Sequence, residues 1–530
     1  MALAAVLALA ATGQVRVWAT GRGLWGDELA ISINLQERAF TELAGRLLYY
    51  QVAPVGWLAT GKAILLGLGD DERLLRLPSL VAGLLTLALV AVVAGRAVGR
   101  WAAVAAVGLV GATPAVLYYA GELKQYSVET AAGMALVVTG AALARRHRRR
   151  AWWPVPAAAA VAVAAVLLSY SALVVLAGVV VGAVTHLALQ RRWRTALAVA
   201  AAMAPAGLLG ARLAWHRRSL PLHPEQERFF PTGFPAPGGG PRGVLRWLPE
   251  MWSGLVANPL GWNHPWWTLL LVAAGLVALT TGGRRLWAAI LGGVLAAATG
   301  AAALHGLPMA DRVALYLVPV ILLLAVAGLA GLARACAHLA RRCRLRHAAV
   351  PTAAAVALAL TAAAGPPLGD GLAEVTHPRV RDFGREALWT VARRLQPGDV
   401  VVAYHFSHKT IRWYGPRTGV TAAGLLRLVP GESPECRPER LEEVLAGARR
   451  VWYVYGARWS RHPGDYQVRV ARAFMDRGRV AAMHDYGRAS GGWILVDLHA
   501  GPVRRPLPAG SGYQPPPVPP DPALDCLTVD

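Results

Sequence analysis

Residues Val313 to Leu332 read VALYLVPVILLLAVAGLAGL, twenty positions without a single charge. At 1.5 Å per residue a helix of that length rises about 30 Å, the thickness of a bilayer's hydrocarbon core. Leu77 to Gly95 is a second run of the same kind. Lipid satisfies no backbone N–H or C=O, so such runs must be helices that bond internally. The whole chain agrees: of 530 residues, 55% are hydrophobic and only 16% charged, with a mean hydropathy of +0.40. That composition excludes a string of soluble domains and describes an integral membrane protein.

Eleven spans are predicted, near residues 1–19, 77–95, 101–117, 127–144, 155–168, 172–189, 195–214, 266–281, 287–304, 312–333 and 349–364. Alternate connections carry the basic residues: Arg96 and Arg100; Arg145, Arg146 and Arg148 to Arg150; Arg191, Arg192 and Arg194; Arg284 and Arg285; Arg334, Arg341, Arg342, Arg344 and Arg346. None of these loops holds an acid. The positive-inside rule makes them cytoplasmic, which places the N-terminus inside the plasma (inner) membrane, and the Asp27 loop and everything after about residue 365 outside. The formal charge of +24 then reads as topology and contact with anionic membrane lipids rather than nucleic-acid binding. Pro54 to Leu68 is apolar enough to resemble another span, but counting it would turn the Arg145 to Arg150 cluster outward. It is read as an interfacial helix, the second of two in a first external loop, 22–76. The first span includes Gln14 and Arg16; a cleaved signal peptide or a late start codon are alternatives that leave the sidedness of Asp27 unchanged.

After Gly365-Pro366-Pro367 the pattern changes. Asp382 to Leu395 reads as a helix and Val400 to Tyr404 as a buried strand. Glu439 to Ala448 with Val451 to Tyr455 repeats that unit, and Val468 to Arg477 precedes a hairpin of Val480 to Tyr486 and Trp493 to Leu498. The fold class is therefore a polytopic α-helical membrane protein, with a membrane module over 1–364 and a C-terminal external α/β domain over 370–500. A proline-rich tail, 501–530, should be extended. Cys336 and Cys343 fall on the reducing side, whereas Cys436 and Cys526 fall outside, where pairing between them stays open.

Polar residues that call for explanation gather in the external connections. Asp27-Glu28 follows the first apolar segment of a chain expected to keep its carboxylates out of its spans. A charge near the hydrocarbon costs roughly 2.5 to 3.5 kcal/mol, so it needs a partner, water or a task. The plain alternative is a helix N-cap at Asp27. Tyr118-Tyr119-Ala120-Gly121-Glu122-Leu123-Lys124-Gln125-Tyr126 joins the third and fourth spans on the same side. Asp311-Arg312, with His305, Tyr316 and Pro319, lies between the ninth and tenth. Taken singly, the cations read as headgroup anchors and the tyrosines as an interfacial belt. A long external loop, 215–265, is rich in Pro, Gly and Trp. Trp266 and Trp267 read as interface anchors, while Trp252 and Trp262 stay open as acceptor contacts.

These stretches resemble the bacterial branch of glycosyltransferase family 39, within the GT-C superfamily that holds protein O-mannosyltransferases and aminoarabinose transferases. Trp25-Gly26-Asp27-Glu28-Leu29 resembles the acidic motif of the first external loop. Gln51-Val52-Ala53-Pro54-Val55-Gly56-Trp57, with Lys62, resembles that loop's proline-bearing half. Tyr118 to Tyr126 is similar to the second motif, and Asp311-Arg312 to Tyr316 and Pro319 to a later one. The chain departs from many relatives in placing Val52-Ala53-Pro54 where they have His-Pro-Pro.

The resemblance implies transfer of a sugar, mannose or another hexose or pentose, from a polyprenyl-phosphate donor to a protein, glycolipid or polysaccharide acceptor on the external face. By similarity Asp27 is the general base and Glu28 supports its loop, with Glu122 a further acid. Lys124 and Arg312 would neutralise the departing phosphate, and Tyr126 or Tyr316 would hydrogen-bond it, with Lys62 beside the donor. One base and no covalent nucleophile imply inversion at the anomeric carbon. A divalent metal between Asp27 and Glu122 is an open expectation. Two rival classes are a lipid-linked-sugar flippase and a noncatalytic envelope scaffold. The first should carry broken polar helices at midplane, which Ala/Leu/Val spans do not suggest. The second would use the α/β domain, where His405, His408, His484 and Asp485 lack metal spacing.

Overall fold

The computed structural model describes residues 1–145, 154–219, 229–342, 368–404, 407–426, 443–456, 477–486, 491–500 and 527–528. The chain forms two compact units, Met1–Gly21 with Arg38–Arg379, and Arg22–Glu37 with Val380–Asp530.

The first unit is helical: α1 (Ala2–Ala19), α3 (Val55–Leu68), α4 (Glu72–Ala97), α5 (Arg100–Ala112), α6 (Pro114–Ala120), α7 (Tyr126–Ala144), α8 (Pro154–Leu168), α9 (Ser171–Leu189), α10 (Trp193–Ser219), α11 (Gly240–Ala257), α12 (Pro265–Thr281), α13 (Arg285–Ala303) and α14 (Val318–Arg342). A helix or bent pair stands at every predicted span but the last, 349–364, which lies outside the described residues. Among the described residues, seven helical stretches are long and apolar enough to cross a bilayer, or eight if α5 and α6, bent by 66°, count as one. The bend falls at Thr113-Pro114, where proline forbids the helical bond and holds Thr113 extended. Proline also opens α12, of 17 residues, at its first turn, and the described part of α8 runs from Pro154 to Leu168. The α3 helix, at 14 residues, is shorter than a crossing.

Helix pairs close on glycine. A Cβ added to Gly182 of α9 would lie 2.1 Å from the Ala289 carbonyl oxygen of α13, and one on Gly275 of α12 would lie 2.0 Å from that of Leu324 in α14. Backbones that approach so closely gain the dispersion contact that drives helix association in lipid, where no hydrophobic force acts between helices. The Asp71 side chain caps α4 by accepting from the Arg73 N–H at 2.8 Å.

The second unit contains a six-stranded sheet: β1 (Asp399–Tyr404), β2 (Gly424–Leu426), β3 (Arg450–Tyr455), β4 (Arg479–Asp485), β5 (Gly492–Asp497) and β6 (Leu527–Thr528), in the order β4-β5-β3-β1-β2-β6. The β1 strand pairs in parallel with β2 and β3, with Val400 opposite Val451, while β4, β5 and β6 run antiparallel to their neighbours. The predicted hairpin is β4–β5. Side chains of Val402, Tyr404, Val451, Tyr453, Ile494 and Val496 make the core of one face. Helices α2 (Gly26–Glu37), α15 (Gly384–Arg394) and α16 (His408–Thr418) complete the unit. The helix predicted over Val468 to Arg477 falls almost wholly outside the described residues, as do Cys343, Cys436 and Cys526; Cys336 is exposed and free.

Where β1 and β3 begin, Arg450 donates to both oxygens of Asp399, at 2.8 and 2.5 Å, and the Trp452 indole N–H donates to one of them at 2.9 Å. Burial pushes the Asp399 carboxyl up, but hydrogen bonds from Arg450, Trp452 and the Gln396 N–H outweigh it and hold the group below its ordinary range. The hydrogen bond to Asp399 in turn raises the Arg450 guanidinium.

Candidate active site

The predicted site residues divide between the units: Asp27 and Glu28 belong to the second, and Lys62, Glu122, Lys124, Tyr126, Arg312 and Tyr316 to the first.

In the second unit α2 begins at Gly26, so Asp27 lies inside the first turn instead of capping it. Two carboxylates in a first turn complement the helix dipole. Glu28, fully buried, turns back so that its carboxylate accepts from the Trp25 N–H at 3.3 Å, satisfying a donor the turn leaves over. Asp27 is half-buried. The segment is tied down at both ends. The Leu24 N–H donates to the Tyr414 hydroxyl of α16 at 2.9 Å, and Arg412 holds the Glu37 carboxylate through two bonds of 2.7 Å. The Arg381 guanidinium stands 4.5 Å over the Trp25 ring.

In the first unit the turn 121–125 connects α6 to α7. The Lys124 N–H donates to the Glu122 carbonyl at 2.8 Å, and the Lys124 carbonyl accepts from the Ser79 hydroxyl of α4 at 3.1 Å. Its ammonium, buried, donates to Gln51 Oε1 at 2.8 Å. Glu122 is wholly buried. Tyr118, Tyr119 and Tyr126 pack edge to face, with centroids 5.1 Å apart at each step. Tyr316 is buried within electrostatic range of Glu129. Arg312 is half-buried, and its neighbour Asp311 accepts from Asn258 Nδ2 at 2.8 Å. Lys62 is buried on α3 with its ammonium 5.7 Å from the Phe40 ring centre.

Sequence reasoning missed Glu129. It is buried one turn into α7, inside the predicted span 127–144, and accepts from the Tyr170 N–H at 3.3 Å. The chain does admit a carboxylate to a span, and the signal was a lone acid in an Ala/Leu/Val run. The Tyr170 hydroxyl donates to the Ala53 carbonyl at 2.7 Å, joining the start of α9 to the Pro54 stretch. Gln51 and the buried Arg76 of α4 were likewise overlooked.

Trp252 and Trp262 are corrected. Both are buried, and the Trp252 indole N–H donates to the Pro265 carbonyl at 2.7 Å, so they pack the helical core and offer no free face to a sugar. Trp266 and Trp267 are exposed at the start of α12. The metal expectation finds no cage: among the described residues no three His, Cys, Asp or Glu side chains converge.

No protein-family model and no curated protein matches the sequence. Among solved structures, the chain is similar to ArnT from Cupriavidus metallidurans in the apo state, at 16% identity over 95% of this chain and 100% of that one, with a TM-score of 0.44. The same protein bound to undecaprenyl phosphate gives 15% identity over 94% and 98%, with a TM-score of 0.43. The oligosaccharyltransferase AglB from Archaeoglobus fulgidus, in complex with an inhibitory peptide and a dolichol-phosphate, gives 13% identity over 96% of this chain and 75% of that one, with a TM-score of 0.47. All three scores lie below 0.5.

Proposed function

We propose that the protein is a GT-C-type membrane glycosyltransferase that moves a sugar from a polyprenyl-phosphate donor to an acceptor on the external face, with inversion and with Asp27 as general base. The observation that carries this reading is the stretch 122–130, where Glu122, Lys124, Gln125, Ser127, Glu129 and Thr130 are all buried at one end of an apolar helical unit. Desolvating acids and a cation together is costly, and such clusters mark functional sites more often than scaffolding. Tyr118 to Tyr126, which overlaps this stretch, resembles the second motif of glycosyltransferase family 39, and Trp25 to Leu29 resembles the first.

The acceptor hydroxyl gives its proton to the Asp27 carboxylate as its oxygen attacks the anomeric carbon from the face opposite the phosphate. The bond from that carbon to the phosphate oxygen breaks, and polyprenyl phosphate leaves. Lys124 and Arg312 neutralise the charge gathering on the phosphate, and Tyr126 and Tyr316 donate hydrogen bonds to it. Lys62 lies with the donor-binding groups, Glu122 orders the turn that carries Lys124, and Glu28 holds the turn that carries Asp27. The acid-free basic loops support a cytoplasmic N-terminus and an external second unit.

The test is transfer of radiolabelled sugar from purified polyprenyl-phosphate donors to a membrane extract, with intact protein and a folded Asp27→Asn variant. Transfer lost in the variant supports the base, and the labelled product names the acceptor. Equal labelling by both removes Asp27 from the chemistry. Labelling by neither, across mannosyl, other hexosyl and pentosyl donors, sinks the transferase reading in favour of a scaffold or flippase.

A further inference from the structure

At the far end of α7 from Tyr126, the helical unit gathers like charges. Arg145 follows the last turn of α7, Arg96 stands in the last turn of α4, and Arg284 leads into α13. The three are close enough that Arg96 and Arg284 both act electrostatically on Arg145. The Arg145 guanidinium lies 4.3 Å from the centre of the Trp287 ring, which is buried and whose indole N–H has no hydrogen-bond partner among the described residues. Arg192 and Arg285 each lie within electrostatic range of His186 on α9. Burial first, then the charges of Arg96 and Arg284, hold the Arg145 guanidinium below its ordinary pKa.

Arg145 is half-buried against the Trp287 ring while Arg96 and Arg284 are exposed, so water screens part of their repulsion and an anion held among them would relieve the rest. The connections on this side carry no acid of their own: residues 96–100, 145–153, 190–194, 282–285 and 334–350 contain no Asp or Glu. Guanidinium groups from three helices suit a tetrahedral oxyanion with several acceptors, and basic pockets between membrane helices select phosphate headgroups. The indole N–H of Trp287 is a further donor at the same place. We infer that Arg96, Arg145 and Arg284 form a binding site for a phosphate anion, presented as the headgroup of an acidic membrane lipid, at the basic end of the helical unit. This site lies about 28 Å along α7 from the Lys124 turn, so it is separate from the proposed chemistry.

The experiment uses full-length protein, stripped of lipid in a neutral detergent. Its thermal midpoint is followed while titrating cardiolipin, phosphatidylcholine of the same acyl chains, or inorganic phosphate. Arg145→Gln and Arg284→Gln are compared with Arg242→Gln and Arg246→Gln, which remove equal charge from α11. Cardiolipin should raise the wild-type midpoint in a saturable way, phosphatidylcholine should not, and either site variant should weaken the apparent affinity about tenfold. Without lipid the site variants should be as stable as wild type or more so, because repulsion is relieved. That crossing of curves is what an ordinary structural arginine would not produce. An equal rise with inorganic phosphate keeps the site but assigns it to the free ion. No saturable rise with either anion, or the same loss in the α11 variants, overturns the inference.

Discussion

Replacing Gly182 with alanine tests whether helix pairing in the membrane unit rests on backbone approach. The added Cβ would stand 2.1 Å from the Ala289 carbonyl oxygen, 2.6 Å from its carbon and 2.9 Å from the Ile290 Cα. All three are backbone atoms of α13, so no rotamer change makes room. A carbon and a carbonyl oxygen settle at about 3.3 Å or more, so α9 and α13 must part by about 1.2 Å at this level. Gly178 and Gly293 face each other in the same seam, where a Cβ on Gly293 would lie 2.4 Å from the Gly178 oxygen, so the separation spreads along the pair. Overpacking of this kind costs about 1 to 3 kcal/mol, against a helix-propensity gain of up to about 1 kcal/mol for alanine over glycine. With the full propensity gain the net loss against wild type is roughly 0 to 2 kcal/mol, a fall of up to a few degrees in the thermal midpoint, and against the Gly300→Ala control it is the whole overpacking cost. Gly300 of α13, where an added Cβ meets nothing within 4 Å, is the internal control, and its alanine variant should keep or slightly raise the midpoint. The assay is thermal unfolding of wild type and both variants in one detergent. If Gly182→Ala is as stable as Gly300→Ala, close backbone contact does not hold this pair together.

Asp399→Asn should weaken the β1–β3 end of the second unit by about 1.5 to 3 kcal/mol at neutral pH, read as faster hydrogen exchange in peptides spanning 399–404 and 450–455. Because folding depresses the Asp399 pKa, its stabilisation is complete above the unfolded value of about 3.9 and is lost as pH falls through the folded one; the wild-type advantage should therefore vanish on acidification, and a pH-independent gap between the two proteins would refute the linkage. Tyr414→Phe removes the acceptor of the Leu24 N–H and should raise exchange across 22–30 while sparing α7, at a cost of about 1 to 3 kcal/mol; unchanged exchange there would show that the bond does not anchor the Asp27 turn. Lys124→Met should lower kcat/KM for sugar transfer by about 100-fold or more if its ammonium meets developing phosphate charge, whereas Gln51→Ala, which removes one hydrogen-bond partner of that ammonium, should cost less; equal rates for Lys124→Met and wild type would exclude the role.

Which parts were readable from the sequence follows from the range of the forces involved. The apolar runs were legible because bilayer thickness imposes their length whatever they pack against, and the β1, β3 and β4–β5 segments because alternation and turn residues are local. The bend at Thr113-Pro114 was not legible, because hydropathy averages α5 and α6 into one run. Trp252 could not be sorted into core or sugar platform without the Pro265 carbonyl that takes its N–H. Glu129 was passed over for the same reason, since what makes it tolerable is Tyr170, from another helix 41 residues on.

The Asp27 turn carries this furthest. Its motif is visible in five consecutive residues, yet the group that holds it is Tyr414, 390 positions later, and Arg412 fixes the other end of the same helix on Glu37. A short acidic motif tells which chemistry is at stake, because pKa and charge belong to the side chain. It cannot tell which body carries that chemistry, because α2 is too short, at 12 residues, to stand without tertiary packing and takes its position from whatever it packs against. Arg22–Glu37 belongs to the sheet-bearing unit although its sequence neighbours on both sides belong to the helical one. Substitutions in α16, far down the chain and outside every motif, should therefore disturb the Asp27 turn before substitutions in α1 do.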